Sequence, residues 1–169
     1  MFSIESCPLP DDALLHKYVR SGAYTDCYQT EVSGHVTHAQ FVGAFYTTLI
    51  FKLERMILKL AVSKPSSDAQ ARQLANGTID RFAAWYVENR CENQLLMSDF
   101  QGRTRSWFMV MHAGSENNRK TRLYFGSAVI SVQNEKTGSG SIVSGFRALL
   151  GFHRIYSEIL LYSARSRLE

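Results

Sequence analysis

The residues of this chain able to do chemistry are few and scattered. His153 and Tyr156 stand three apart in a segment of helical periodicity and so share a helix face, where a ligand carbonyl or hydroxyl could meet them. The alternative is that they are core residues whose polar tips bond to backbone or to each other. Trp85 and Trp107 sit on two strand-like runs, and their flat rings would suit a ring or an isoprenoid as well as ordinary core packing. Arg103, Arg105, Trp107, Met109 and Met111 alternate along one strand face. If that face points inward, Arg105 could pair bidentately with an acidic ligand group. If it points outward, it is a solvated edge, since a buried arginine needs a partner. Asp26, between Tyr24 and Tyr28, could be that partner, a general base with a raised pKa, or a surface carboxylate.

Other chemistries lack a pattern. His35, His38 and His112 show no HxxxH or His/carboxylate spacing, so no metal and no cofactor is expected. Ser127 follows Gly126 within a strand rather than at a strand-to-helix elbow, so it does not read as a hydrolase nucleophile. Cys7, Cys27 and Cys91 are an odd set without CxxC spacing, which suits free thiols in a reducing cytoplasm better than a disulfide framework.

Composition narrows the field further. The 169 residues are 45% hydrophobic and 20% charged, with 2 Trp, 8 Tyr and 10 Phe, enough apolar surface for one domain with a sizeable core. The net charge of +4 comes from dispersed Lys and Arg, with a mild cluster at Arg147, Arg154, Arg165 and Arg167, so nucleic acid is not implied. Met1 to Cys7 lack the basic start and apolar run of an export signal. The apolar stretch from Phe41 to Phe51 ends at Lys52, short of the roughly 20 residues that cross a bilayer.

These residues must be placed by elements with legible starts and stops. Residues 1–23 read as an N-terminal extension with a short helix over Ala13 to Val19, stopped by Gly22. Tyr24 to Val32 is rich in β-formers and reads as a first strand. Thr37-His38-Ala39-Gln40 is a capping box with Val36 and Phe41 at the staple positions, opening a helix to about Ala61 that turns Phe41, Phe45, Leu49, Leu53, Met56 and Leu60 inward. Ser67-Asp68-Ala69-Gln70 is a second capping box, and Asn76-Gly77 ends its helix. Four runs of period two follow, Arg81 to Arg90, Gln94 to Phe100, Thr104 to His112 and Thr121 to Ser131, joined by turns too short for parallel crossovers and hence an antiparallel meander. Gln133 to Ser141, around Gly138-Ser139-Gly140, reads as a loop that could be a lid or a plain linker. Ile142 to Leu168 reads as a long closing helix with Phe146, Leu149, Leu150, His153, Tyr156, Leu160 and Ala164 on one side.

The expected fold is therefore α+β, with an antiparallel sheet of about five strands curving around the C-terminal helix and helices over one sheet face. This order, over residues 24–168, resembles the helix-grip fold of the START and Bet v 1-like superfamily. More narrowly, Arg103-Thr104-Arg105-Ser106-Trp107, Leu123-Tyr124-Phe125-Gly126-Ser127 and the run from Phe146 to Tyr156 look like segments of an uncharacterised bacterial family that also occurs fused behind short-chain epimerase domains. The resemblance implies a cavity between sheet and long helix; superfamily members bind sterols, lipids, polyketides or plant hormones there, and a minority are cyclases or hydrolases. The chain departs from larger members in having four strands after the helices rather than six. The leading expectation is non-catalytic binding of a small hydrophobic or amphipathic molecule, lined by Trp85, Trp107, His153 and Tyr156, with Arg105 at the mouth and Asp26 among the ligand-binding residues. The rivals are an enzyme with His153 as acid/base assisted by Asp26 or Tyr156, and an interaction module or homodimer using exposed aromatics.

Overall fold

A computed structural model describes residues 4–62, 65–115, 118–130 and 155–169. The elements run β1 (Glu5–Ser6), α1 (His16–Arg20), β2 (Tyr24–Ser33), α2 (His38–Tyr46), α3 (Leu49–Val62), α4 (Asp68–Ala75), β3 (Arg81–Phe82), β4 (Trp85–Arg90), β5 (Gln94–Asp99), β6 (Thr104–Ala113) and β7 (Lys120–Val129). A C-terminal helix covers 155–165. The expected loop from Gln133 to Ser141 and the first half of the expected closing helix, including His153, lie outside the described residues. Among the described residues no helix is long and apolar enough to cross a membrane.

The fold is α+β, built on a seven-stranded antiparallel sheet in the order β1-β2-β7-β6-β5-β4-β3. Five strands are long, as the alternation predicts. The other two, β1 and β3, are two-residue edge pieces too short to show a period. The run from Arg81 to Arg90 divides because Ala83 takes a left-handed φ of 52°. A register shift between Val87 and Asn89 follows. β2 pairs along its whole length with β7, from Tyr24 opposite Val129 to Ser33 opposite Lys120, so the first strand closes onto the end of the meander.

Both capping boxes form, Thr37 with Gln40 and Ser67 with Gln70. The single helix expected from His38 to Ala61 is two. Thr47 and Thr48 turn their hydroxyls onto the carbonyls of Gly43 and Phe45 at 2.7 and 3.0 Å, and Thr48 Oγ1 then accepts from the Phe51 amide. Adjacent β-branched hydroxyl residues thus offer the backbone an alternative to the helical ladder. The break changes the phase of the apolar stripe. Phe51 turns inward, while Leu49, Leu53 and Met56, expected in the core, are exposed. Arg55 is buried in their stead, held by Asp68 at 2.6 Å and Ser66 at 2.9 Å.

The sheet has two apolar faces. On one, Tyr28, Val32, Leu95, Met97, Phe108, Val110, Leu123 and Phe125 meet the helices. Phe45 of α2 is central there, with its ring 4.7 Å from those of Phe108 and Phe125. Leu160, Leu161 and Ala164 of the C-terminal helix join the same cluster. On the other face, Cys27, Leu96, Trp107, Met109, Tyr124 and Ala128 are covered by Ala13, Leu15 and Tyr18. Helices therefore do not cover one face alone; the segment read as an N-terminal extension closes the second. It is fastened by Gln94, 3% exposed, whose Oε1 accepts from the Leu14 amide and from Trp107 Nε1, both at 2.9 Å. Its Nε2 donates to the Asp12 carbonyl at 3.0 Å.

Gly126 makes this closure possible. It lies in β7 between Cys27 and Trp107, and a Cβ there would stand 2.9 Å from the Asp26 carbonyl oxygen, 3.0 Å from Trp107 and 3.1 Å from Leu15. The backbone oxygen cannot yield without shifting β2. Gly126→Ala is accordingly expected to destabilise the protein by about 1–3 kcal/mol, a typical overpacking penalty. Urea unfolding should show a lower midpoint at unchanged slope, and an unchanged midpoint would refute the role given to this glycine.

Candidate functional site

The residues expected to line one cavity are divided between the two sheet faces. Trp85 is half-buried on the helix side, its ring 5.5 Å from Phe51, and Tyr156 is half-buried against the same cluster. Trp107 is fully buried on the opposite face with its N–H spent on Gln94, so the two tryptophans do not share a cavity. Asp26 lies on the helix side with Tyr28, by strand alternation, and accepts from the amide and the hydroxyl of Ser127 at 3.0 and 2.5 Å.

Arg105 is neither at a pocket mouth nor on a solvated edge. Its Nε donates to Glu88 at 2.5 Å and to the Tyr18 hydroxyl at 2.7 Å, and its guanidinium stacks over the Tyr18 ring. Glu88 also accepts from Tyr18 at 2.6 Å and from Lys17 at 2.7 Å. Burial alone would raise the Glu88 carboxyl, but these hydrogen bonds outweigh it and hold the group below the ordinary carboxylate range. The partner of Arg105 is thus Glu88, not Asp26, and the cluster ties α1 to β4 and β6. The fourfold contact was not legible because a bulge sets the register of Glu88.

Open volume collects elsewhere, in a cleft of about 950 Å³ between the start of α2, the end of α4 and the β4–β5 turn. Three histidines that sequence spacing did not connect meet here. His35 and His112 stack with ring centroids 4.1 Å apart and planes 17° off parallel. The buried Thr121 hydroxyl places them, accepting from the Val36 amide and donating to the Gly34 carbonyl, each at 2.9 Å. Arg90 closes the far wall by donating to the Leu74 carbonyl at the end of α4 and to the Ile79 carbonyl in the segment after it.

His38 opens α2. Its half-buried ring packs beside the Phe108 backbone, and its Nε2 is enclosed with no hydrogen-bond partner among the described residues. Burial pushes its pKa down to about 4; the Phe108 backbone opposes this, and the charge of Arg90 reinforces it. The imidazole is therefore neutral at pH 7, one ring nitrogen a donor and the other an acceptor. Beside it lie the first amides of α2, those of His38 and Ala39, which the helical ladder leaves over at the positive end of the dipole. Ala39, Ala75 and Val110 supply apolar wall. The cleft thus offers a set of donors and apolar surface beside a neutral imidazole, a suitable frame for an amphipathic molecule. Among the described residues no group of three or more His, Cys, Asp or Glu is placed to hold a metal ion. No protein-family model, curated protein or solved structure matches the chain.

The state of His38 makes stability depend on pH. The unfolded chain binds the proton near pH 6.5 and the folded chain only near 4, so the unfolded state carries more protons in that window and stability falls as pH drops through it. The loss attributable to this group is about 3 kcal/mol. Denaturant unfolding between pH 7 and pH 4 should show it in the wild type and not in His38→Gln. Equal pH dependence of the two proteins would refute the assignment.

Proposed function

We propose that this chain is a non-catalytic binding module for a small amphipathic molecule, held in the cleft at the start of α2. The observation that carries the reading is the cleft itself, in which the neutral His38 ring stands beside the first amides of that helix. A ligand hydroxyl or carbonyl can accept from those amides, while its apolar body lies along Ala39, Ala75 and Val110 beside the neutral His38 ring. The ring is half-buried and titrates far below neutrality, so it suits orientation of a ligand better than proton transfer at pH 7.

This places the ligand at one end of the sheet–helix layer instead of beneath the C-terminal helix. The helix-grip relationship stands as part of the same proposal, supported by the α+β order, the meander adjoining the first strand and the helix over 155–165 against the sheet's aromatic face. A homodimer is the rival arrangement; Leu49, Leu53 and Met56, exposed along α3, are the side chains that would serve it.

Native mass spectrometry of freshly purified protein reads both bound small molecules and copy number, and a thermal-shift panel of hydroxylated fatty acids, sterols and phenols extends it. The expected result is a monohydroxylated or acidic amphiphile that raises Tm by several degrees in the wild type, but not in Ala39→Trp, whose indole would obstruct the cleft at the start of α2. Stabilisation that survives Ala39→Trp, or the absence of any bound or stabilising compound, contradicts the proposal.

A further inference from the structure

A second chemical feature lies towards the other end of β2, where β1 joins it. The β1–β2 register sets Glu5 opposite Gln29 and Ser6 opposite Tyr28, so the next residue, Cys7, stands opposite Cys27. The Cys7 amide donates to the Cys27 carbonyl at 3.0 Å, and the two Sγ atoms are 3.3 Å apart as thiols. Directly opposed residues of a hydrogen-bonded antiparallel pair have Cα atoms about 5.5 Å apart, within the range a disulfide spans. A cleft of about 460 Å³, lined by both cysteines with His16, Thr25 and Asp26, gives a small oxidant access. Cys7 is half-buried, whereas Cys27 is 4% exposed and packs with the N-terminal cover.

We propose that Cys7 and Cys27 are a redox-active dithiol whose oxidation by a peroxide closes a disulfide and fastens the N-terminal cover to β2. Cys7 is the attacking sulfur. Its hydrogen bond with Cys27 lowers its pKa, and the charge of Arg122 works in the same direction against burial and the nearby Glu5. Its thiolate attacks one peroxide oxygen, the O–O bond breaks, and hydroxide leaves and is protonated to water. Cys7 is then a sulfenic acid, oxidised by two electrons. The Cys27 sulfur attacks the Cys7 sulfur as the S–O bond breaks, and the departing hydroxide takes the Cys27 proton to form a second water. Two thiols and one hydrogen peroxide thus become one disulfide and two waters, and a dithiol reductant restores the starting state. The new bond encloses the segment that carries Leu15 and Tyr18, which seal the sheet's second face.

The test uses the full chain carrying Cys91→Ser, which removes the exposed third thiol. After stoichiometric hydrogen peroxide, unfolding in excess N-ethylmaleimide and intact-mass measurement should show a monomer lighter by two hydrogens with no maleimide added. Cys27→Ser in the same background should stop at a sulfenic acid that dimedone captures on Cys7. The oxidised protein should melt about 5–10 °C higher than the reduced one, because the cross-link restrains the unfolded chain. Two maleimides on peroxide-treated protein, disulfides only between chains, or an unchanged Tm on oxidation would each overturn the proposal.

Discussion

The structure depends on a sheet that is apolar on both faces. In β6, Phe108 and Val110 face the helices while Trp107 and Met109 face the other way, and β7 repeats the pattern with Leu123 and Phe125 against Tyr124 and Ala128. A sheet of this kind is stable in water only when both sides are covered. Helices supply the larger cover through interlocked aromatic rings. The smaller is a single turn of helix and its flanks, too short to hold itself together. Leu15 is completely buried, which contributes about 2–3 kcal/mol. The Gln94 amide and the Glu88–Arg105–Tyr18 cluster fix the direction in which the cover lies.

Features carried by neighbouring residues were legible in the sequence. The boxes at Thr37 and Ser67, the five long strands and their sequential antiparallel pairing all rest on short-range chemistry, and all are present. The inward stripe of the long helix was misread after Thr47, because two hydroxyls competing for carbonyls break the ladder without a glycine or proline to announce it. The second face was ambiguous because Arg103 and Arg105 alternate with Trp107 and Met109. A buried arginine requires a partner, and Glu88 of β4 reaches Arg105 of β6 only through two strand pairings, β4 with β5 and β5 with β6.

The candidate sites follow from the same dependence on register. His35 and His112 are separated by most of the sheet in sequence, and they stack because β7 brings the end of β6 beside the loop after β2. Cys7 and Cys27 come together through a strand of two residues. Spacing rules for metal or redox motifs cannot find pairs made by a fold. What could have been seen is the position of His38 just inside a capping box, where a polar side chain lies next to amides that the helix leaves over.

The account's central claim is that the N-terminal cover and the sheet form one cooperative unit, and native-state hydrogen exchange tests it most directly. The Leu14 amide, bonded to the Gln94 side chain, should exchange with the same opening free energy as the core amides of β6 and β7. Exchange of Leu14 and the α1 amides at nearly unprotected rates, while β6 and β7 remain protected, would show a sheet that stands without its second cover and would contradict the account.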